Sequence, residues 1–216
     1  MQPKGKYDTS ELVESQYEPG SRGRVLRNLR NITSKREIDR VEAEEQFRAL
    51  KELITVYGKS HRFTAADICA IHKRWLGTVY EWAGNYRHVN ISKGGFLFAA
   101  SNQIPLLMAG FERGPLRKYT PCGFASIEEI TPAIAVVHAE LVLIHPFREG
   151  NGRIARMAAV LMALQAGLPL LDFNGIRGKK KVEYFAAVQA GMDRNYVPMT
   201  AVFNDVIRKT LRTHER

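Results

Sequence analysis

Cysteine is nearly missing from this chain: Cys69 and Cys122 are the only two in 216 residues, far apart and in no CxxC spacing. That leaves no disulfide framework and no cysteine-based zinc site, and two reduced thiols suit a reducing compartment. Long apolar runs are missing too. The longest, AIAVV and LVLIHPF, fall far short of the roughly 20 residues a membrane-crossing helix needs, so no membrane partner is expected. The opening MQPKGKYDTS lacks the apolar core of a secretory signal. There are no internal repeats and no low-complexity linker, which argues for one domain at this length. Acidic residues are the scarcer charge, 22 Asp and Glu against 32 Lys and Arg, for a net charge of +10. Excess positive charge attracts nucleic acid, phosphorylated ligands, acidic proteins or anionic membranes, and composition does not choose among them.

What is present is mostly helical rhythm. Residues 1–33 are polar, broken by Gly5, Pro19, Gly20 and Gly23, and carry Arg22, Arg24, Arg27 and Arg30; they read as an irregular arm. SKRE at Ser34 is a capping box with Glu37, followed by an apolar stripe of Ile38, Val41, Phe47, Leu50, Leu53 and Ile54 that Gly58 ends. TAAD at Thr64 opens a second helix through Ile68, Ile71, His72 and Trp75. Residues 84–100 alternate around Gly94-Gly95, the pattern of a β-hairpin. A helix is expected from Asn102 to Tyr119, interrupted at Gly114-Pro115, and SIEE at Ser126 starts a longer one that Pro146 stops. The next turns Ile154, Met157, Ala158, Leu161 and Leu164 inward, and two more follow near 178–195 and 198–213. The expectation is a mainly all-α bundle with one hairpin, a single domain over 1–216 with its core at about 35–205.

The densest chemistry lies in HPFREGNGRIAR, residues 145–156. EGNG leads straight into a helix, whose first amides have no intrahelical partner and whose dipole favours an anion. Gly150 and Gly152 carry no Cβ, so a phosphate can approach the backbone closely. Arg153 and Arg156 are three apart, hence neighbours on one helix face, suited to gripping successive phosphates. Glu149 at the mouth would repel phosphate unless a divalent cation bridges them, and Mg2+ takes one or two carboxylates together with phosphate oxygens. His145 closes the preceding helix, where a neutral imidazole could take a proton from an attacking hydroxyl. Each residue alone has an ordinary structural explanation. Together they fit nucleotidyl or phosphoryl transfer onto a hydroxyl.

This segment resembles the motif of the Fic family, H-x-F-x-(D/E)-G-N-G-R-x-x-R, at every fixed position, and VYEWAGNYR (79–87) and VNISKGGFLFA (89–99) are similar to its flap region. The resemblance runs from about residue 35 to 205 and implies a helical core with a β-hairpin flap. It also implies a bacterial adenylyltransferase that moves AMP from ATP to a Ser, Thr or Tyr hydroxyl of a target protein, acting in the cytoplasm, with export as an injected effector left open. Carried over, His145 is the general base and Glu149 holds Mg2+. Asn151 and the amides around Gly150 and Gly152 hold the phosphates beside the bond that breaks, and Arg153 and Arg156 take the outer phosphates. Phe147 is a buried anchor. The flap, Ile91, Ser92, Lys93, Gly94, Gly95 and Phe96 on to Phe98, docks a target segment by strand addition. The death-on-curing branch, which phosphorylates, has lysine where this chain has Gly152, so AMP transfer is the expected orientation; transfer of UMP or phosphocholine, or AMP removal, stays open.

Many members of the family are inhibited by a glutamate from an [S/T]-x-x-x-E-[G/N] helix that meets the second motif arginine, here Arg156. Only Ser10 to Glu14, followed by Ser15, and Thr33 to Glu37, followed by Ile38, approach that pattern, and neither has the Gly or Asn. Inhibition by a separate small antitoxin chain, or none, is therefore expected. His138 reads as a core residue, and the GKKK run at 178–181 as solvated charge or a guide for ATP or an acidic target. Two rival classes remain: a basic nucleic-acid-binding protein, for which no helix-turn-helix, RNA-recognition or zinc-finger signature is present, and a catalytically silent binding module. Homo-oligomerisation is left open.

Overall fold

The structure, a computed structural model, describes residues 11–214; the first ten residues of the arm, Ser10 among them, and the last two lie outside the described residues. Helix α1 (Lys35–Val56) and helix α2 (Ala65–Leu76) pack side by side. Ser34 caps α1 by accepting from Glu37 N at 3.4 Å, one half of the expected box, whereas Thr64 and Asp67 complete both halves at the start of α2. The apolar stripe of α1 is narrower than expected. Phe47 is 63% exposed and Ile54 37%, because at 3.6 residues per turn both point roughly opposite to Ile38, the residue that sets the buried face. Lys51 covers the Phe47 ring instead, 4.3 Å from its centre, and buried Ala49 and Glu42 take the inner positions.

Strands β1 (Ser92–Lys93) and β2 (Phe96–Leu97) form the expected hairpin in antiparallel register, Ser92 opposite Leu97 and Lys93 opposite Phe96. Gly94 and Gly95 both hold positive φ, +58° and +80°, as a two-residue turn matched to strand twist requires. A turn at Ser101–Gln103 leads into α3 (Ile104–Phe111), and a wide π-helical turn at Glu112–Leu116 joins it to α4 (Arg117–Tyr119). The interruption expected at Gly114-Pro115 is this π-turn, which absorbs the proline's missing N–H without ending the helical path.

The reciprocal Ser126–Glu129 box starts α5 (Ile127–Ile144), which is buried along most of its length and packs against α6 (Asn151–Gln165) and α8 (Val197–His214). Helix α7 (Lys179–Ala190) lies against α8 and α5. The described part of the arm is fixed by Asn28, whose side chain bonds Ile32 O at 2.9 Å and whose N–H reaches the buried Glu18 carboxylate at 3.1 Å. Both cysteines are free. Among the described residues no helix is long and apolar enough to cross a membrane. The functional segment is the connection between α5 and α6, at the centre of the bundle.

Candidate active site

His145 is the C-cap of α5 and sits in the left-handed region, φ +52°, ψ +57°, a conformation that costs a non-glycine residue about 1–2 kcal/mol. Its Nδ1 lies 3.0 Å from Val142 O, so Nδ1 carries the proton and Nε2 is left with its lone pair. The ring stacks on Phe98 of the flap, centroids 3.6 Å apart. Burial pushes the imidazole down to about 4; the bond to Val142 and the charge of Glu149 oppose that, while Arg87 and Lys93 add to it. The imidazole is therefore neutral at pH 7.

The loop after His145 is held from inside. Phe147 is fully buried and stacks on His72, 3.9 Å between centroids and 6° between planes. His72 accepts from Gly84 N at Nδ1 (2.9 Å) and donates from Nε2 to Glu149 O (3.1 Å), and burial keeps it neutral with its pKa lowered to about 3. Asn151, 2% exposed, accepts from Phe147 N at 2.8 Å and donates to Phe147 O at 2.7 Å. Both ends of this amide are thus spent on the loop. Expected as a phosphate ligand, Asn151 instead fixes the turn whose backbone faces the cavity.

Gly150 has φ +84°, and a Cβ there would lie 2.7 Å from the Trp75 ring; only glycine fits. A Cβ on Gly152 would meet nothing closer than Arg156 Nη1 at 3.9 Å, so packing does not demand glycine at that position. What its hydrogen gives is open space above the first amides of α6. Glu149 is 48% exposed on its side chain; its Oε1 accepts from Gly150 N at 2.9 Å and lies 3.4 Å from Arg153.

The two arginines differ. Arg153 pairs at 2.7 Å with Glu42, which is 3% exposed and also accepts from Tyr80 OH at 2.6 Å, and its guanidinium lies 4.6 Å from the centre of the Trp75 ring. Arg156 is half-buried, has no hydrogen bond or ion pair with any described residue, and has its pKa lowered chiefly by that burial. An uncompensated guanidinium in a cavity is a place for an anion. Glu14 does not approach it: its carboxylate accepts from His88 N at 2.7 Å. Glu37 is exposed at the start of α1.

His145, Glu149, Gly150, Gly152, Arg153 and Arg156 line one cavity of about 1040 Å³. Lys93, Gly94 and Phe96 of the flap line it as well, with Lys93 Nζ 6.0 Å from the Phe185 ring across the opening, whereas Ile91, Ser92 and Gly95 stand outside its lining. The far wall is Ile176, Arg177, Lys181, Tyr184, Phe185 and Val188. The sequence reveals only part of this wall: the GKKK run reads as solvated charge or a guide for ATP or an acidic target, and Gly178 and Lys181 do line the cavity, while the apolar residues beside them on α7 give no such sign. Buried His138 bonds Tyr184 OH at 2.8 Å and packs on Phe203, and Glu140 bonds Tyr196 OH, so neither faces the cavity. Sequence reading also missed the roles of Glu42, His72 and Arg87, whose partners are distant in the chain.

A helical core offering a neutral histidine at a helix end, a glycine-edged turn and an unpaired arginine beneath a short hairpin defines the Fic class of fold. The chain carries a domain of that family: residues 62–163 match the family described as Fic/DOC. Among curated proteins it is 33% identical over 145 residues to the protein adenylyltransferase VbhT of Bartonella schoenbuchensis, covering 66% of this chain and 30% of that protein. It is 28% identical over 163 residues to the protein adenylyltransferase Fic of Culex quinquefasciatus, covering 73% and 30%. The chain thus spans under a third of the length of these relatives. Among solved structures, the N-terminal Fic domain of a VirB-translocated Bep effector of Bartonella quintana with bound ADP superposes with a TM-score of 0.66 at 26% identity, over 84% of this chain and 89% of that one. The BepC effector of Bartonella tribocorum, at 22% identity, matches the fold with a TM-score of 0.71 over 91% and 98%.

Proposed function

We propose that this domain transfers AMP from ATP to a Ser, Thr or Tyr hydroxyl of a target protein. One observation carries the reading: a neutral His145 with a free Nε2, the open first amides of α6 and the unpaired Arg156 line a single cavity. The names of the adenylyltransferase relatives and the ADP in the Bartonella quintana structure support the nucleotide.

In this reading the β- and γ-phosphates lie over the amides of Asn151 and Gly152 and against Arg156, and the base lies toward Tyr184, Phe185 and Val188. The target segment pairs with the flap around Lys93 to Phe96 and brings its hydroxyl to His145 Nε2. Nε2 takes the proton as the oxygen attacks the α-phosphorus, the bond to the β-phosphate oxygen breaks, and pyrophosphate leaves. Asn151, His72 and Phe147 keep the turn in shape. Glu149 suits Mg2+: its side chain is half-exposed, and no group of three or more metal-ligating side chains exists among the described residues, so an ion would bind with phosphate oxygens rather than in a protein cage. Such an ion would neutralise charge on the departing pyrophosphate. The space over Gly152 favours AMP over phosphoryl transfer. Arg156, having no carboxylate partner, is the group that a separate inhibitory chain would engage.

The test is incubation with Mg2+ and ATP labelled at the α-phosphate in bacterial lysate, alongside His145→Ala and Arg156→Ala. Label on a protein, lost in the first variant and strongly reduced in the second, is expected. Label from the γ-phosphate alone would replace this reading with a kinase.

A further inference from the structure

Arg87 is 1% exposed and meets no carboxylate within ion-pair distance among the described residues. Its guanidinium is divided among three carbonyls. Nε donates to His145 O at 2.8 Å, Nη1 to Val89 O at 2.6 Å and Nη2 to Ala99 O at 2.6 Å, while its backbone N–H donates to Pro146 O at 2.9 Å. Val89 and Ala99 belong to the outgoing and returning legs of the flap. One side chain therefore joins both legs to the carbonyl of the histidine that is the candidate base.

This bridge matters because the flap has little else to hold it. Its strands are two residues each, joined beyond the ladder by Phe98 N to Ile91 O at 3.2 Å, and a lone two-stranded hairpin is marginal in water. Its position must be set at its base. Glu14 acts on Arg87 only from beyond ion-pair distance, and burying a guanidinium with no ion-pair partner is unfavourable, so a merely space-filling role would be better served by an apolar side chain. The planar fork of five donors, in contrast, spans three separated acceptors at fixed geometry, which an ammonium cannot do. Phe98, on the returning leg, carries the result to the ring itself by stacking on His145. The arm reinforces the same joint: Glu14 accepts from His88 N, and Glu14 O accepts from Arg148 Nε at 2.8 Å.

We propose that Arg87 is a positioning residue: it fixes the flap to the backbone of His145, so that a segment docked on the flap meets the imidazole at one set spacing. The chemical consequence rests on the transfer reaction above; the mechanical part stands without it. Arg87 does not line the nucleotide cavity, and this separates its role from nucleotide binding.

The test compares Arg87→Lys and Arg87→Gln with the full chain by amide hydrogen exchange, ADP titration and steady-state AMP transfer to a labelled lysate protein. In both variants the flap amides of residues 91–98 should exchange about tenfold faster or more while α5 and α6 keep their protection. ADP affinity and the KM for ATP should stay within about twofold, and kcat should fall by up to about 10²-fold, the scale of an ångström-sized misplacement. Unchanged flap exchange would overturn the proposal. So would full rescue by the lysine variant, since charge alone would then suffice, and so would loss of protection throughout α5 and α6 together with ADP binding, since Arg87 would then be simply structural. If the unmodified protein transfers no AMP, the transfer reading falls, and the exchange and ADP measurements still decide whether Arg87 holds the flap.

Discussion

Two glycines of the same motif stand two residues apart for opposite reasons. Gly150 is required by the fold: its φ of +84° and the Trp75 ring, 2.7 Å from where a methyl would sit, leave no room for a side chain. Gly152 is helical with open space around it. Gly150→Ala should therefore destabilise the protein by about 2–4 kcal/mol, strain and overpacking together. Gly152→Ala should leave stability unchanged or raise it by up to ~1 kcal/mol, since alanine is the better helix former, yet weaken ADP binding by crowding the first amides of α6. Denaturant unfolding and ADP titration on the two variants check this pair. Equal destabilisation by both, or unaltered ADP affinity in Gly152→Ala, would remove the distinction between a glycine needed for packing and one needed for access.

At the scale of elements, helix α1 does more than cover α2. Its buried Glu42 is held by Tyr80 OH and pairs with Arg153 on α6, while its backbone carbonyl accepts from Trp75 Nε1 at 2.8 Å. α1, α2 and α6 are thus tied together at the start of the functional helix. Glu42→Ala should cost roughly 2–4 kcal/mol, because Arg153, a quarter exposed, would lose its closest partner in a largely buried place. Glu42→Gln should cost less, as it keeps a hydrogen-bond acceptor for Tyr80. Urea unfolding of both variants measures the difference, and a negligible loss in Glu42→Ala would mean that water already solvates Arg153. The helices were legible from their caps: Thr64–Asp67 and Ser126–Glu129 start α2 and α5 where local chemistry says they should. The motif glycines and the hairpin turn were legible for the same reason, since local backbone needs dictate residue type. What was not legible depends on tertiary partners. Phe47 and Ile54 look like core by composition and are turned outward by helical phase. Glu42 and Arg87 look like solvated polar residues and are buried, and His72, read with the apolar series of its helix, gives no sign of what it bonds, because their partners lie 111, 58 and 77 positions away in Arg153, His145 and Glu149. Asn151 stands out in the motif, but its two bonds to Phe147 appear only once the turn is closed.

Across the whole molecule, the bundle buries neutral histidines at the places where its parts meet. His72 joins α2 to the motif loop, and His138 joins α5 to Tyr184 on α7; burial lowers each to about 3, against about 6.5 for an unfolded histidine. A group whose pKa is depressed on folding binds more protons in the unfolded chain over the interval between the two values, so stability rises with pH through that interval. Its contribution is full above about pH 6.5 and is lost as pH falls toward 3. At pH 5 each histidine should cost about 2 kcal/mol relative to neutral pH, a figure set by the unfolded value as long as the folded one lies well below 5. With His145, which burial lowers to about 4 and which loses a similar amount, the three come to about 6 kcal/mol, a large part of the 5–15 kcal/mol that usually holds a domain folded. The loss begins at a pH where most carboxylates are still ionised, so it should precede general acid unfolding. Denaturant unfolding at pH 7 and pH 5 gives the difference directly, and His138→Gln, which cannot titrate there, should remove about a third of it. If the variant loses as much stability on acidification as the parent protein, then His138 is not buried neutral in the folded state, and the joint between α5 and α7 along the cavity's far wall is looser than these contacts require.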